Sequence, residues 1–471
     1  MSTNSQPTQA LNHFKENFES TYLEDLKKLV RIPSVSFPGF PEEEVTKSAH
    51  AVADLLRKRG LENVRILSLD GAHPYVVGER LRAPGKPTLL LYAHHDVQPP
   101  GRIERWETPP FEPTLKDGPG GLRMFARGSA DDKTGIVVHT SAIDAYLKTI
   151  GELPVNVKVI IEGEEEIGSG HLEEFLSKYR DELKADILVL TDTTNFDCGV
   201  PGLTIALRGM VGVDIELKSL SKTVHSGMWG GPVPDPAMAL SKVLSKLVDE
   251  NGQIAIPGVM EQVRPLSADE KKYLNQVPYN EADFRRQAGV LPKVSLLKDE
   301  VSPVVQVWRK PSLTVNALQS SSRAQAGNTI NDSAWARVTI RLVADMDPQR
   351  VQNQLEDFLK SLVPWGLELN LTPHGLTPPW STEPKGPVFE AAEKALTLGY
   401  GKAPQMMGCG GSIPFVKPFA EALGGAPALL IGVEDPYTNA HGENESVLIQ
   451  DLRSACLSQI YLFSEISKIK S

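Results

Sequence analysis

The sequence predicts an α/β protein: a mostly parallel sheet sandwiched by helices, carrying an inserted ferredoxin-like α+β domain. Three observations predict it. Signals for buried strands alternate with an amphipathic helix signal, a βαββαβ succession interrupts that alternation after Arg208, and residues with ligand chemistry follow the predicted strands.

The strands and the residues beyond them come in a regular order. TLLLYA (88–93) is an apolar run of strand length that leads into His94. KTGIVVHTSAIDAYLKTI (133–150), just after Asp131, repeats apolar residues at roughly helical spacing through Ile136, Val137, Ile143, Tyr146, Leu147 and Ile150. VNVKVIIEG (155–163) reads as a buried strand leading to Glu165 and Glu166, ADILVLTD (185–192) ends on Asp192, and APALLIGVE (426–434) leads to His441. In parallel sheets covered by helices, ligands collect beyond the carboxyl ends of the strands, and these residues sit at those ends.

The interruption reads as strand 209–220, helix 234–250, strands 314–320 and 335–344, helix 347–363 and strand 367–375. That order is the split-βαβ, ferredoxin-like arrangement, with Pro378, Pro379 and Pro384 marking its exit. The expected division is therefore a first catalytic part at 1–208, an inserted lid or dimerisation domain at 209–378 and a second catalytic part at 379–471. A polar stretch at 251–310 elaborates the insert and yields no role.

Composition excludes several classes. A net charge of −10 with no basic run argues against nucleic acid or an anionic membrane as partner, and no apolar run approaches membrane-spanning length. The polar opening MSTNSQPTQA lacks the charged and apolar regions of a signal peptide, so a cytoplasmic location is expected. Cys198, Cys409 and Cys456 make no CxxC pair, which indicates neither a disulfide framework nor a cysteine zinc site and fits a reducing compartment. Small molecules or peptides remain as partners.

The chemistry lies in AHHDVQP (93–99), ARGSADDK (126–133), EGEEEIGS (162–169), LTDT (190–193) and NAHGENE (439–445). Together they offer the two histidines, two aspartates and adjacent glutamates that a two-zinc hydrolase needs to hold its metals and activate water. Each has a plainer reading. EGEEEIGS is also a candidate solvated acidic turn, although Gly163 and Gly168 suit a tight loop at a sheet end. His95 reads as structural, Asp132 is as suited to capping the next helix as to catalysis, and His13, His50, His73, His139 and His171 carry no motif.

HHDVQP, RGSADDK, EGEEEIGS, HSGMWGG, GGSIP and AHGENE, in this order, resemble the motifs of the co-catalytic zinc peptidase family that includes carnosinase, aminoacylase, glutamate carboxypeptidase and succinyl-diaminopimelate desuccinylase. The likeness runs from about residue 15 to the C-terminus and is closest to the cytosolic dipeptidase branch. It implies two zinc ions per subunit, one on His94 and Asp192, the other on Glu166 and His441, with Asp131 bridging; manganese or cobalt suit the same ligands. It implies Glu165 as general base. Asp96, two residues past His94 on a strand-like segment, would hydrogen-bond the ring nitrogen opposite the zinc.

For the insert, the resemblance implies that His225 of KTVHSGMWGG reaches a neighbouring subunit's active site to stabilise an oxyanion, which requires a homodimer. By local sequence alone His225 is equally a turn histidine. Arg341 of TIRLVA matches a substrate-carboxylate arginine, against a surface ion pair as the plain alternative. Asn328, Thr329 and His374 would line the same pocket, as would Ser412 and the backbone at Gly411. One departure stands out: the branch usually reads REGGSIP, whereas here Gly408 and Cys409 precede GGSIP, removing the carboxylate that would pair with a free substrate amine.

The expected function is zinc-dependent hydrolysis of an amide bond in a small carboxylate-bearing substrate, dipeptidase or carboxypeptidase-like. An N-acyl amino acid deacylase or desuccinylase is the alternative within hydrolases. An inactive binding or scaffold relative is the alternative of another class, disfavoured because no ligand or base is missing.

Overall fold

Apolar side chains occupy both sides of the strand Thr88–His94, so helices must cover both faces of its sheet. The computed structural model describes residues 6–411 and 416–469. It divides into two units, one of Met1–Ile205, Glu383–Met407 and Phe415–Ser471, the other of Ala206–Thr382 and Gly408–Pro414. Among the described residues no helix is long and apolar enough to cross a membrane.

In the first unit, alternation along the strands decides the layers. Leu89, Leu91 and Ala93, with Val157, Val159 and Ile161 of the neighbouring strand Asn156–Glu162, share one core with Ile136, Val137 and Ile143 of the helix Lys133–Thr149. On the other face the Tyr92 ring meets Phe419 edge-on at 5.9 Å, and Tyr75 stacks on Phe175 at 4.1 Å.

The sheet runs Glu62–Leu67, Tyr75–Arg80, Asn156–Glu162, Thr88–His94, Ile187–Leu190, Ala428–Leu430, Gly202–Leu207. Its central pairings are parallel and those toward both ends antiparallel, in keeping with the mostly parallel sheet expected. His94 lies level with Glu162, and Tyr92 with Leu190. The parallel register therefore brings the carboxyl ends that precede Glu165, Glu166 and Asp192 beside His94.

One expected strand is much shorter than read. Of APALLIGVE only Ala428–Leu430 pairs as a strand. Gly432 then presses on the Thr193 main chain, where an added Cβ would lie 1.4 Å from the carbonyl oxygen, and the segment rejoins the sheet only as a bridge between Thr194 and Glu434. A hairpin at Thr114–Gly118 and Gly121–Phe125, extended by Ser446–Leu448, went unread in the sequence.

The second unit is a four-stranded antiparallel sheet in the order Ser312–Gln319, Ser333–Leu342, Gly209–Lys218, Glu368–Thr377. One face buries Val211, Val213, Ile215, Ala336, Val338 and Ile340 with Leu240 of the helix Pro236–Leu244 and Leu355 of the helix Pro348–Leu362. Residues on the alternate face of the same strands include Asp214, Arg337, Arg341 and His374. The first helix is shorter than the 234–250 read from sequence because Asp249 accepts bonds from the Asn251 and Gln253 amides, turning the chain at Gly252. The polar stretch forms short helices Ala268–Leu274, Glu281–Gln287 and Pro303–Arg309, the first and third tied through Glu270, which accepts from Arg264 and Arg309.

Leu355 is fully buried in this core. Leu355→Ala is expected to cost about 2–5 kcal/mol, read as a lower midpoint in chemical unfolding; a cost under about 0.5 kcal/mol, typical of surface sites, would contradict this packing.

Candidate metal centre

The side chains that follow the strand ends meet. His94, Asp131 and Asp192 offer donor atoms within 4.8 Å of one another, and so do Asp131, Glu166 and His441. Asp131 belongs to both groups through different oxygens. Its Oδ1 lies 3.0 Å from His94 Nε2 and its Oδ2 lies 3.0 Å from His441 Nε2. Asp192 Oδ1 is 3.9 Å from His94 Nε2, Glu166 Oε2 is 3.3 Å from His441 Nε2, and Glu165 Oε2 approaches His94 Nε2 to 4.0 Å.

Two buried carboxylates fasten these segments together. Asp96 accepts from the Glu165 amide at 3.2 Å through Oδ1, and from the Glu166 amide at 3.1 Å and Ser36 Oγ at 2.7 Å through Oδ2. Its Oδ1 also lies 3.3 Å from His94 Nδ1, while its carbonyl oxygen lies 3.1 Å from the same nitrogen, leaving Nε2 for the cluster. Glu445 accepts from the amides of Gly128, Ala130 and Asp131 at 3.0, 3.0 and 3.2 Å and pairs with Arg127 at 2.7 Å. Arg127 in turn donates to the carbonyls of Pro99 at 3.1 Å and Gly442 at 3.0 Å, fixing the loop in which His441 takes a left-handed φ of +63°. Gln98 holds Glu166 from its amide at 2.9 Å and its Nε2 at 2.7 Å.

Neighbouring residues take structural places. Asp132 caps the helix Lys133–Thr149 by accepting from the Gly135 amide at 3.1 Å. His95, fully buried, lies 2.9 Å from the Pro74 carbonyl, and burial pushes its imidazole down to about 4.

The electrostatics fit cations. Burial above all pushes the Glu166 and Asp192 carboxyls upward, and the nearby Asp131 adds to it. Burial likewise opposes ionisation of Asp131, but the bonds from His441 and His94 outweigh it and hold that carboxyl well below its usual range. Burial, helped by Asp131 and Asp96, pushes Glu165 up to about 7 against the pull of His94 and His441. Crowded, desolvated carboxylates and two imidazoles, one carboxylate facing each group with a separate oxygen, form a donor set suited to two divalent ions.

The remaining candidates belong to the second unit. His225 and Thr329 are direct partners in a short antiparallel pairing, and the Asn328 carbonyl accepts from the Ser226 amide at 2.9 Å. Arg341 and His374 lie on the face of the sheet away from its helices, where the His374 ring covers Gly212 and its Nε2 is 3.4 Å from Asp214. Gly411 accepts from the Arg208 amide at 3.2 Å, and Ser412 lies outside the described residues. Sequence reasoning passed over Arg127 and Glu445, although both stand inside the motifs ARGSADDK and NAHGENE; a charge of each sign within ligand-bearing motifs was the available signal, and its burial shows only in the structure.

Comparison with known proteins places the chain in a family. The model of the family described as Peptidase family M20/M25/M40 matches residues 90–459. A cysteinylglycine-S-conjugate dipeptidase of Corynebacterium striatum is 32% identical over 87% of this chain and 88% of its own length. Among solved structures, the dipeptidase Dug1p of Saccharomyces cerevisiae superposes with a TM-score of 0.85 at 27% identity, covering 100% of both chains. Human carnosine dipeptidase 1 gives 0.86 at 25% identity over 98% of this chain and 99% of its own.

Asp96→Ala should weaken metal affinity by about 10–100-fold, measured by competition with a chelating indicator. Unchanged affinity would show that Asp96 does not orient the ligands.

Proposed function

The chain is a metallopeptidase of family M20/M25/M40, and from that premise we propose that it is a di-zinc dipeptidase that works as a homodimer. The observation that carries the proposal is the division of Asp131 between two donor groups, with Glu165 beside them and not needed by either. His94 and Asp192 would hold one zinc, Glu166 and His441 the other, and Asp131 both; manganese or cobalt suit the same set. Such ions, when bound, favour ionisation of water near neutral pH and polarise the scissile carbonyl.

Glu165 takes the proton of the attacking water and returns it to the leaving amine. Asp96 positions it by gripping its amide, which keeps the base adjacent to the ligand Glu166 and out of the coordination set. His225 of one subunit donates to the developing oxyanion in the other subunit's site. Arg341 binds the substrate carboxylate, with Asn328, Thr329, His374, Ser412 and the Gly411 backbone shaping the pocket around it. Dipeptides are the substrate class because the relatives named above are dipeptidases across nearly their whole length.

A second reading, hydrolysis of N-acyl amino acids, is favoured by Cys409. A thiol stands there within electrostatic reach of Arg208 and Arg341, where the dipeptidase motif carries a carboxylate for a free amine. Comparing a dipeptide with its N-acetyl derivative separates the two; preference for the blocked substrate would replace dipeptidase with deacylase.

Glu165→Gln is expected to keep both metals per chain and lose about 10²–10⁴-fold in kcat, checked by elemental analysis beside steady-state kinetics; near-normal turnover would remove Glu165 from the mechanism. His225→Ala alone should be similarly impaired with metal content intact. Mixing it with Glu165→Gln should regain activity through hybrid dimers, and failure to complement would remove the shared site.

A further inference from the structure

His441 is the most open of the candidate ligands: its side chain is 60% exposed, against at most 12% for His94, Asp131, Glu166 and Asp192. Packing therefore does little to place its ring, and the loop that bears it must do so. That loop, 439–444, holds three left-handed residues, Asn439 at a φ of +57°, His441 at +63° and Asn444 at +63°. Residues with side chains keep such a backbone only where surrounding bonds over-determine it.

The bonds come from a second loop, 99–107, whose middle is the short turn Ile103–Arg105. Asn444 spends both ends of its amide on that loop: Oδ1 accepts from the Glu107 main-chain amide at 2.7 Å, and Nδ2 donates to the Arg105 carbonyl at 2.9 Å. A side-chain amide in this posture does what a peptide group does across a strand ladder. Beside it the Glu443 carboxylate accepts from Arg102 through its amide at 3.3 Å and its Nε at 2.7 Å, while the Asn439 side chain donates to the Glu443 carbonyl. The Arg102 side chain is 56% exposed, so solvent screens this ion pair and it contributes little. At the other end of both loops Arg127 joins the carbonyls of Pro99 and Gly442, with the Trp106 ring 5.7 Å from its guanidinium. The fit is close: an added Cβ on Gly442 would lie 2.5 Å from the Asn439 side chain, and one on Gly101 would lie 3.3 Å from Glu443.

We propose that Asn444 is a positioning residue: it latches the 439–444 loop to the 99–107 loop and thereby holds His441 in its liganding place. The inference rests on the metal-centre reading above and concerns only the ion assigned to Glu166 and His441. Asn444 acts through His441 and needs no contact with substrate.

The test uses the full chain with two substitutions. Asn444→Gly tolerates the left-handed backbone and removes only the amide. Asn444→Asp keeps an acceptor for Glu107 and loses the donor to Arg105. Titration with zinc against a chelating indicator is expected to show one of two ions weakened by about tenfold or more in Asn444→Gly, as for other groups that orient a ligand, with the other ion unchanged and Asn444→Asp in between. Excess zinc should restore kcat with KM unaltered, because the latch controls occupancy of the ion. Hydrogen exchange of the metal-free protein should quicken at the Glu107 amide and across 439–444 in Asn444→Gly and remain as in the wild type elsewhere. Two ions held as tightly as in the wild type, equal weakening of both, or unaltered exchange in the two loops would overturn the proposal. A wild-type chain that binds no zinc sinks the metal reading alone, and the exchange rates still decide the latch.

Discussion

The buried pair of Arg127 and Glu445 is the constraint on which the candidate metal centre depends. These side chains are 318 residues apart in sequence and almost wholly hidden from solvent. An unpaired charge there would be prohibitive, and even a paired one returns little net stability, because desolvating two ions consumes most of their attraction. What the pair provides is position. Glu445 fixes the amides of Gly128, Ala130 and Asp131, while Arg127 holds the carbonyls of Pro99 and Gly442. Three segments that carry His94, Asp131 and His441 are thereby referred to one ion pair.

Asp96 does the same for the other side of the cluster. A carboxylate has two oxygens with several acceptor directions, and Asp96 uses both, on the amides of Glu165 and Glu166, the Ser36 hydroxyl and the face of His94 away from the cluster. Binding adjacent amides fixes adjacent side chains in different roles, because neighbouring residues on a short turn point apart. One glutamate is thus aimed at His441 and its neighbour at His94. The sheet supplies the coarse placement, and these acids supply the final ångström.

The sheet was legible because strands buried on both faces leave long apolar runs, and parallel pairing sends all their carboxyl ends to one side. His94, Asp131, Glu166, Asp192 and His441 could be read because each follows such a run or stands in a motif. Context at a distance was not legible. Asp132 became a helix cap only through the Gly135 amide, and the 426–434 run lost its regular pairing only because Gly432 meets Thr193. The roles of Arg127 and Glu445 depend on partners hundreds of residues away, which periodicity cannot reveal. In the second unit, the βαββαβ order was readable from alternation, but the field around Arg208 was not, since its neighbours Arg341, Ser312 and Cys409 come from three separate segments.

The two units hold charge of opposite sign, and the same physics explains both. In the first, carboxylates are crowded beyond what their own histidines neutralise, so burial drives the surplus toward protonation unless cations arrive. In the second, the guanidiniums of Arg208 and Arg341 lie in the field of the Cys409 thiol, where the related motif has an acid. The carboxylate surplus of the first costs stability, and bound cations would offset it. In the proposed dipeptidase, Cys409 in place of a glutamate bears on the choice of substrate, because it leaves every donor of the candidate metal centre in place.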